Sequence, residues 1–196
     1  MHRESGVASR FLYLIRHGQY DTSVRHQLGG SLTPLGRQQA EITAQALCDV
    51  PVNTIYCSSM RRAEETAEII AQVFPAAMLQ KTRSLWECVP TVPEKYAQHF
   101  SEAQIGGTSE CRQQLDSAFN RFFKLARGGE KHELLICHGN VVRYLVCRAL
   151  EVNLDAWANM HIYNCGISRV MIEPHGMFLI SHNEINHIPL HLQTET

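Results

Sequence analysis

Two stretches of the chain place titratable side chains at the end of an apolar run. Phe11-Leu-Tyr-Leu-Ile15 is compact, apolar and aromatic, long enough for one buried strand, and it stops at Arg16-His17-Gly18. Leu134-Leu-Ile-Cys137 does the same, ending in His138-Gly139 before Asn140 and an apolar, helix-like stretch. Two such strands in one sheet bring two imidazoles and a guanidinium to its carboxyl edge, where open α/β sheets hold ligands. Arg16-His17-Gly18 alone reads equally well as a strand ending in a solvated pair. The second His-Gly favours a shared site. Gly18 is expected to let the backbone turn sharply and to admit a ligand close to the main chain.

A third group points to an anion. Ser58-Ser-Met-Arg-Arg-Ala-Glu-Glu-Thr66 opens a helix with Arg61 and Arg62 in its first turn, where cations oppose the helix dipole. A helix start with free amide hydrogens and two arginines suits a bound anion, although the spacing alone does not choose between Arg61 and Arg62. Leu85-Trp86-Glu87 sets a carboxylate beside a large aromatic, which would raise its pKa by desolvation. A surface glutamate is the simpler reading of Glu87 taken by itself.

The elements that must position these groups alternate along the chain. Residues 1–9 read as a loose tail. Gln19 to Ser31 is polar and turn-rich, with Gly29-Gly30. Thr33-Pro34 has the form of an N-cap followed by proline at the first helical position. A helix with Leu35, Ile42, Ala46 and Leu47 on its apolar face then runs to about Cys48. Thr54 to Cys57 is a short strand, and Ser58 or Ser59 caps a helix reaching about Val73. Met78 to Thr82 is an edge strand. Residues 88–107 carry Pro90, Pro93 and Gly106-Gly107 with little periodicity and read as a lid. Glu110 to Arg127 is an amphipathic helix burying Leu115, Ala118, Phe119, Phe122 and Phe123. A helix over Val141 to Leu150, a helical piece over Leu154 to Met160 and strands over Ile167 to Ile172 and Phe178 to Ser181 complete the order. Residues 184–196 read as a polar, solvated tail, whose histidines lack ligand spacing. Strands alternating with helices indicate an α/β fold with a mainly parallel sheet covered on both faces.

Composition sets the frame. The chain has 196 residues, 44% hydrophobic and 19% charged, enough for one domain with a sizeable core. A net charge of −1 gives no footing for non-specific binding to nucleic acid or acidic membranes. Seven cysteines without a Cys-x-x-Cys pair, several of them in apolar runs (Cys48, Cys57, Cys137, Cys147), read as buried reduced thiols, not a disulfide framework or zinc site. The expected location is therefore cytoplasmic. No apolar run reaches the ~18 residues of a membrane span, and residues 1–10 lack the apolar core of a secretory signal.

Arg16-His17-Gly18, Leu32-Thr-Pro-Leu-Gly36, Ser58 to Thr66, Glu87 and His138-Gly139 together, in that order, resemble the histidine phosphatase superfamily. The resemblance implies a phosphoglycerate-mutase-like fold: a three-layer sandwich, with a mainly parallel central sheet between helices. It spans residues 10–183, with residues 88–107 as lid and 184–196 as tail. By the family's Ser-x-x-x-Arg-Ala-x-x-Thr pattern, Arg62 is the phosphate ligand and Arg61 its solvated neighbour. His17 becomes the nucleophile, His138 the second imidazole, and Glu87 the proton donor to the leaving group. Arg16, Arg62, His138 and the backbone at Gly139 become the phosphate-binding set. Phosphoryl transfer needs these parts and no more, so neither a cofactor nor a metal is expected. Implied partners are a phosphorylated protein or a small phosphomonoester, with no nucleic acid and no membrane, and with room for a homodimer.

Within the superfamily, few bases follow Glu87, which disfavours bisphosphate sugars. Ile136-Cys-His-x-Asn-Val-x-Arg-Tyr-x-Val-Cys-Arg-Ala-Leu150 is instead similar to the mitochondrial phosphoglycerate-mutase-like serine/threonine protein phosphatases. Their membrane anchor and Trp-Asp-rich multimerisation segment have no counterpart here, so membrane location and higher-order assembly are not carried over. Three alternatives stand beside this reading. One is a small-molecule or phosphohistidine phosphatase of the same family, and another a non-catalytic binding protein on the same fold. In the third, Cys137 to Arg143 satisfies Cys-x5-Arg, the cysteine-phosphatase signature. Cys137 and His138 are neighbours in a strand and point to opposite faces, so only one can line the site.

Overall fold

The computed structural model describes residues 7–24, 26 and 28–195. The expected loose tail 1–9 lies mostly outside them. At its end β1 (Val7–Ala8) pairs antiparallel with β5 (Ala126–Arg127). The main sheet contains β2 (Arg10–Arg16), β3 (Val52–Ser58), β4 (Met78–Thr82), β6 (Lys131–Cys137), β7 (Ile167–Glu173) and β8 (Gly176–Glu184), in the order β4-β3-β6-β2-β7-β8. β4, β3, β6 and β2 are mutually parallel, and β7 and β8 add an antiparallel edge. β2 and β6 lie side by side with Arg16 opposite Cys137, so both His-Gly turns leave the same edge.

Helices cover both faces, which is why β2 and β6 read as nearly unbroken apolar runs. On one face α1 (Pro34–Leu47) and α2 (Arg61–Ala71) pack over Tyr13, Ile15, Leu134 and Ile136. On the other, α4 (Thr108–Phe122) and α5 (Gly139–Ala149) pack over Leu12, Leu14, Leu135 and Cys137. The strand alternation thus sends Cys137 into the α4–α5 core, fully buried. Burial also pushes its thiol well above the usual cysteine range, so the Cys-x5-Arg reading has no thiolate to offer.

The helix starts follow their sequence signals unevenly. Thr33 caps α1, its hydroxyl accepting from the Gly36 N–H at 3.0 Å. Its buried face carries Gln39, Ala40, Thr43 and Ala44 besides Leu47, while Ala46 is exposed, because α1 packs against the last segment of the chain as well as the sheet. α2 begins at Arg61 with Met60 as N-cap, and neither Ser58 nor Ser59 caps it. Both serines are engaged elsewhere, with His138 and with the Trp86 indole. The helix expected over Glu110 to Arg127 stops at Phe122, because Ala126 and Arg127 leave to pair with β1. The segment 88–107 contains a 3-10 helix (Glu94–His99) and α3 (Glu102–Gly106), the latter opened by a capping box between Ser101 and Gln104.

Two cysteine expectations are corrected. Cys88 and Cys111 form a disulfide that ties the segment after Glu87 to α4. Their 23-residue separation gave no sequence signal of proximity, which the fold supplies. Cys48 is exposed, just past the end of α1, whereas Cys57, Cys137, Cys147 and Cys165 are buried and free. The last segment also differs from a solvated tail. Ile188 is 1% exposed, a 3-10 turn spans Leu190–Leu192, and Gln39 of α1 donates to the Leu192 carbonyl at 2.7 Å. No helix among the described residues is long and apolar enough to cross a membrane, and none of them form a cluster able to hold a metal ion.

Candidate active site

All four parallel strands deliver a group to one cleft at their carboxyl ends. β2 ends in Arg16 and His17, β6 in His138 and Gly139 at the start of α5, β3 leads into Arg62 on α2, and β4 leads through a 3-10 turn (Arg83–Leu85) to Glu87. Arg16, His17, Arg62, Glu87 and Gly139 line a cavity of about 280 Å3, with Tyr20, Asn140, Arg143, Ile162, His161 and Glu195. His138 lies fully buried beside His17, the ring centroids 5.1 Å apart. Arg16, His17, Arg62, Glu87, His138 and Gly139 are therefore in one place, and Arg61 is exposed outside it. A groove of about 980 Å3 between α5 and the β7–β8 turn contains none of them.

His17 is held in one tautomer. Its Nδ1 lies 2.8 Å from the Gly18 carbonyl, which only accepts, so Nδ1 carries the proton. Nε2 then keeps its lone pair and accepts from Arg62 Nε at 3.0 Å. Burial, then Arg62 and Arg16, holds this imidazole well below the usual histidine range, so it is neutral at physiological pH. His138 is held low by burial first, then by His17, Arg62 and Arg16. Its Nε2 is 2.8 Å from Ser58 Oγ, which also accepts from the Met60 N–H at 3.3 Å. In the tautomer in which Ser58 Oγ donates to His138 Nε2, Nδ1 carries the ring proton and is the donor on the other side. That Nδ1 is 3.8 Å from Glu87 Oε2.

Glu87 keeps 27% side-chain exposure, but its Oε2 is buried and without a hydrogen-bond partner. Burial pushes its carboxyl up to about 7, against the pull of Arg62, Arg16, Arg143 and the backbone N–H of Asn140. Arg16 donates through Nη1 to the Ile162 carbonyl at 2.7 Å and through Nη2 to the Glu195 carbonyl at 2.9 Å, while its Nε is buried unpartnered. Arg16 Nε, His138 Nδ1 and Glu87 Oε2 thus converge as buried polar atoms lacking a protein partner. Such atoms are costly unless a polar ligand satisfies them.

Several supporting residues escaped the sequence reading. Tyr20 stacks under the Arg62 guanidinium at 4.6 Å and meets the His17 ring edge-on at 5.2 Å. Thr66 Oγ1 accepts from the Gly18 N–H at 3.1 Å, joining α2 to the first His-Gly turn; its place in the Ser58 to Thr66 block was the available signal. Gly29 has φ of 74°, and a Cβ there would lie 2.4 Å from Arg62 Nη1. Gly18 has a different reason from the one expected. Its φ is not positive, and a Cβ would meet the Gly36 carbonyl oxygen of α1 at 2.5 Å, so close helix packing demands the glycine.

The profile of the histidine phosphatase superfamily (branch 1) matches residues 12–185. The mitochondrial serine/threonine-protein phosphatase PGAM5 of Xenopus tropicalis is 35% identical over 181 residues, covering 90% of this chain and 64% of that protein. Its counterpart in Homo sapiens is 34% identical over 174 residues, covering 86% and 60%. The chain thus spans 60–65% of the length of these curated relatives. Among solved structures, a phosphoglycerate mutase from Plasmodium falciparum superposes with a TM-score of 0.65 at 30% identity, covering 93% of this chain and 96% of that one. An α-ribazole-5'-P phosphatase, so described for Escherichia coli, superposes with 0.72 at 19% identity over 89% and 96%, a likeness of fold. The cytoplasmic expectation is overturned, since the curated relatives are named as mitochondrial. Its premise, seven reduced thiols, also fails at Cys88–Cys111. On the match over residues 12–185 and the identity to these relatives, the chain belongs to the histidine phosphatase superfamily.

Proposed function

We propose that this chain hydrolyses phosphomonoesters through a phosphohistidine on His17 and that its substrates are proteins phosphorylated on serine or threonine. The observation that carries the chemistry is the convergence of buried, unpartnered Arg16 Nε, His138 Nδ1 and Glu87 Oε2 around an imidazole whose unprotonated Nε2 accepts from the cleft-lining Arg62, the group that would pass to the phosphoryl oxygens as Nε2 attacks. Arg16, Arg62 and His138 Nδ1–H hold the three non-bridging oxygens, with the Gly139 amide at the start of α5 as a further donor. His17 Nε2 forms a bond to phosphorus as the bond to the leaving oxygen breaks, and Glu87 gives that oxygen its proton. The resulting carboxylate takes a proton from water, whose oxygen attacks phosphorus. The P–N bond breaks, returning neutral His17, and orthophosphate leaves. The arginines and the His138 N–H balance the phosphoryl charge throughout.

The protein substrate class is carried over from the curated relatives named as serine/threonine-protein phosphatases, and the mitochondrial compartment comes with it. In this reading the segment 88–107 is the lid over the leaving group. Rapid quench without acid after mixing with an aryl phosphate, followed by mass spectrometry, tests the chemistry. A phosphoryl group on His17 that is absent in His17→Ala is expected; an adduct on Cys137, or turnover without any adduct, overturns it. A panel of phosphopeptides against sugar phosphates tests the substrate class, and higher kcat/KM on sugar phosphates overturns that part.

A further inference from the structure

Arg143 and Asn140 are half-buried in a network that the chemistry above does not use. Arg143 sits one turn into α5 and lines the cleft, yet its guanidinium is committed to the protein. Nε donates to the Gly139 carbonyl at 3.1 Å, Nη1 to the Met160 carbonyl at 3.1 Å, and Nη2 to Asn140 Oδ1. Its flat face lies 4.8 Å from the Trp157 ring centre. A guanidinium only donates, so it dictates that the oxygen of the Asn140 amide faces it. The Nδ2 end must then face the other way, and there it donates to the Cys88 carbonyl at 3.0 Å. Cys88 directly follows Glu87. Trp157, under the same guanidinium, donates from its indole to Thr91 Oγ1 at 2.8 Å, so the second arm of the network grips the same segment three residues later.

From this geometry we infer that Arg143, acting through the Asn140 amide and Trp157, is a positioning residue that sets where the Glu87 carboxyl meets the leaving oxygen. The charge of Arg143 orients the amide, the amide fixes the backbone of the glutamate segment, and the carboxyl follows. Turning the amide around would set its oxygen against the Cys88 carbonyl and release the segment. The inference rests on the proposed role of Glu87 and adds a residue pair whose task is to aim it. Groups facing Glu87 come from each neighbouring element: Arg16 from β2, Arg62 from α2, and His138, the backbone N–H of Asn140 and Arg143 from the end of β6 and α5. Removing the Arg143 charge therefore also raises the pKa of Glu87.

A leaving-group series separates aiming a proton donor from holding the fold or the phosphate. kcat/KM reports steps through formation of the phosphoenzyme, and an ester of 2,4-dinitrophenol needs no protonation to depart, whereas phenyl phosphate does. For Arg143→Met and Asn140→Asp, kcat/KM on phenyl phosphate should fall roughly 10- to 100-fold, a partial loss of the ~10²–10⁴-fold that a well-aimed general acid supplies. On 2,4-dinitrophenyl phosphate it should fall less than about threefold, because the loss is confined to proton transfer. Arg143→Met should also move the alkaline limb of the pH profile upward, which Arg143→Lys should not. Asn140→Asp is nearly isosteric and keeps its pairing with Arg143, so it tests the Cys88 bond even if Arg143→Met folds poorly. Equal losses on both esters in the two variants overturn the inference. Glu87→Gln run alongside distinguishes the failures. If Glu87→Gln is leaving-group-selective and the clamp variants are not, only the clamp falls; if Glu87→Gln is not selective either, the role of Glu87 falls and takes the clamp with it.

Discussion

At the scale of single residues, the pH at which His17 and Glu87 change charge decides when the cleft can act. Burial beside two guanidiniums holds His17 well below the usual histidine range, so acid does not silence the proposed nucleophile near pH 6. Glu87, pushed up to about 7, holds a proton below that pH, so in the proposed mechanism it can donate there and not above. Without substrate effects, kcat/KM on phenyl phosphate should be flat through the ordinary histidine range and fall as pH rises past about 7. A limb near 6.5 on the acid side would contradict it. The same shift has a stability consequence. Between the ordinary 4.5 and about 7 the folded chain keeps a proton that the unfolded chain has lost, so ionising Glu87 opposes folding as pH rises through this window. Glu87→Gln should abolish protonation of poor leaving groups yet raise stability at pH 8 by up to about 3 kcal/mol, with no gain at pH 4, read as urea midpoints. Arg16, His17, Arg62, Glu87 and His138 were legible because their motifs recur in order. Tyr20 was not, because a lone tyrosine has no spacing to betray a partner 42 residues away, and Ser58, though it opens a recognised motif, gave no sign of pairing with His138, 80 residues on.

At the scale of elements, the site depends on how closely α1 approaches the turn after β2. A Cβ on Gly36 would lie 1.9 Å from the Gln19 carbonyl oxygen, and one on Gly18 would lie 2.5 Å from that of Gly36. Both obstacles are backbone and cannot rotate away. Gly36→Ala should therefore cost at least the ~1–3 kcal/mol of an overpacked core and lower phosphoenzyme formation by shifting His17, read by denaturation and rapid quench. The Cys88–Cys111 disulfide is the other element-scale device. It anchors the segment after Glu87 to α4, where Gln114 also donates to the Trp86 carbonyl at 2.9 Å. A disulfide closing a loop of this span contributes about 3 kcal/mol to stability. Cys88→Ser with Cys111→Ser should lower the urea midpoint and reduce kcat/KM on phenyl phosphate more than on 2,4-dinitrophenyl phosphate. Equal kinetics on both esters would show that the Asn140 and Trp157 contacts hold Glu87 without the disulfide.

At the scale of the whole molecule, the chain's last segment closes the structure on itself. After β8 it crosses α1, buries Ile188 and brings the Glu195 carbonyl to Arg16, while Asn164 donates to the His17 carbonyl from the loop before β7. Ile188→Ala should cost about 2–4 kcal/mol as a buried aliphatic truncation. It should also raise the inhibition constant of orthophosphate, because Arg16 loses a carbonyl that holds its fork. Unchanged phosphate inhibition in a destabilised variant would confine the segment's role to stability.

The alternation of apolar runs with amphipathic helices, and the two His-Gly strand ends, were enough to determine a mainly parallel α/β sheet with Arg16, His17 and His138 at its edge, while Arg62 and Glu87 were singled out only by the family resemblance. Strand periodicity and turn chemistry are local, and repeated strand-end motifs must converge when the strands are parallel neighbours. The disulfide, the packed last segment, the reason for Gly18 and the Arg143–Asn140–Cys88 chain of bonds were decided only by tertiary structure. Each is a meeting of groups far apart in sequence, set by helix packing distances and by which end of an amide faces a charge.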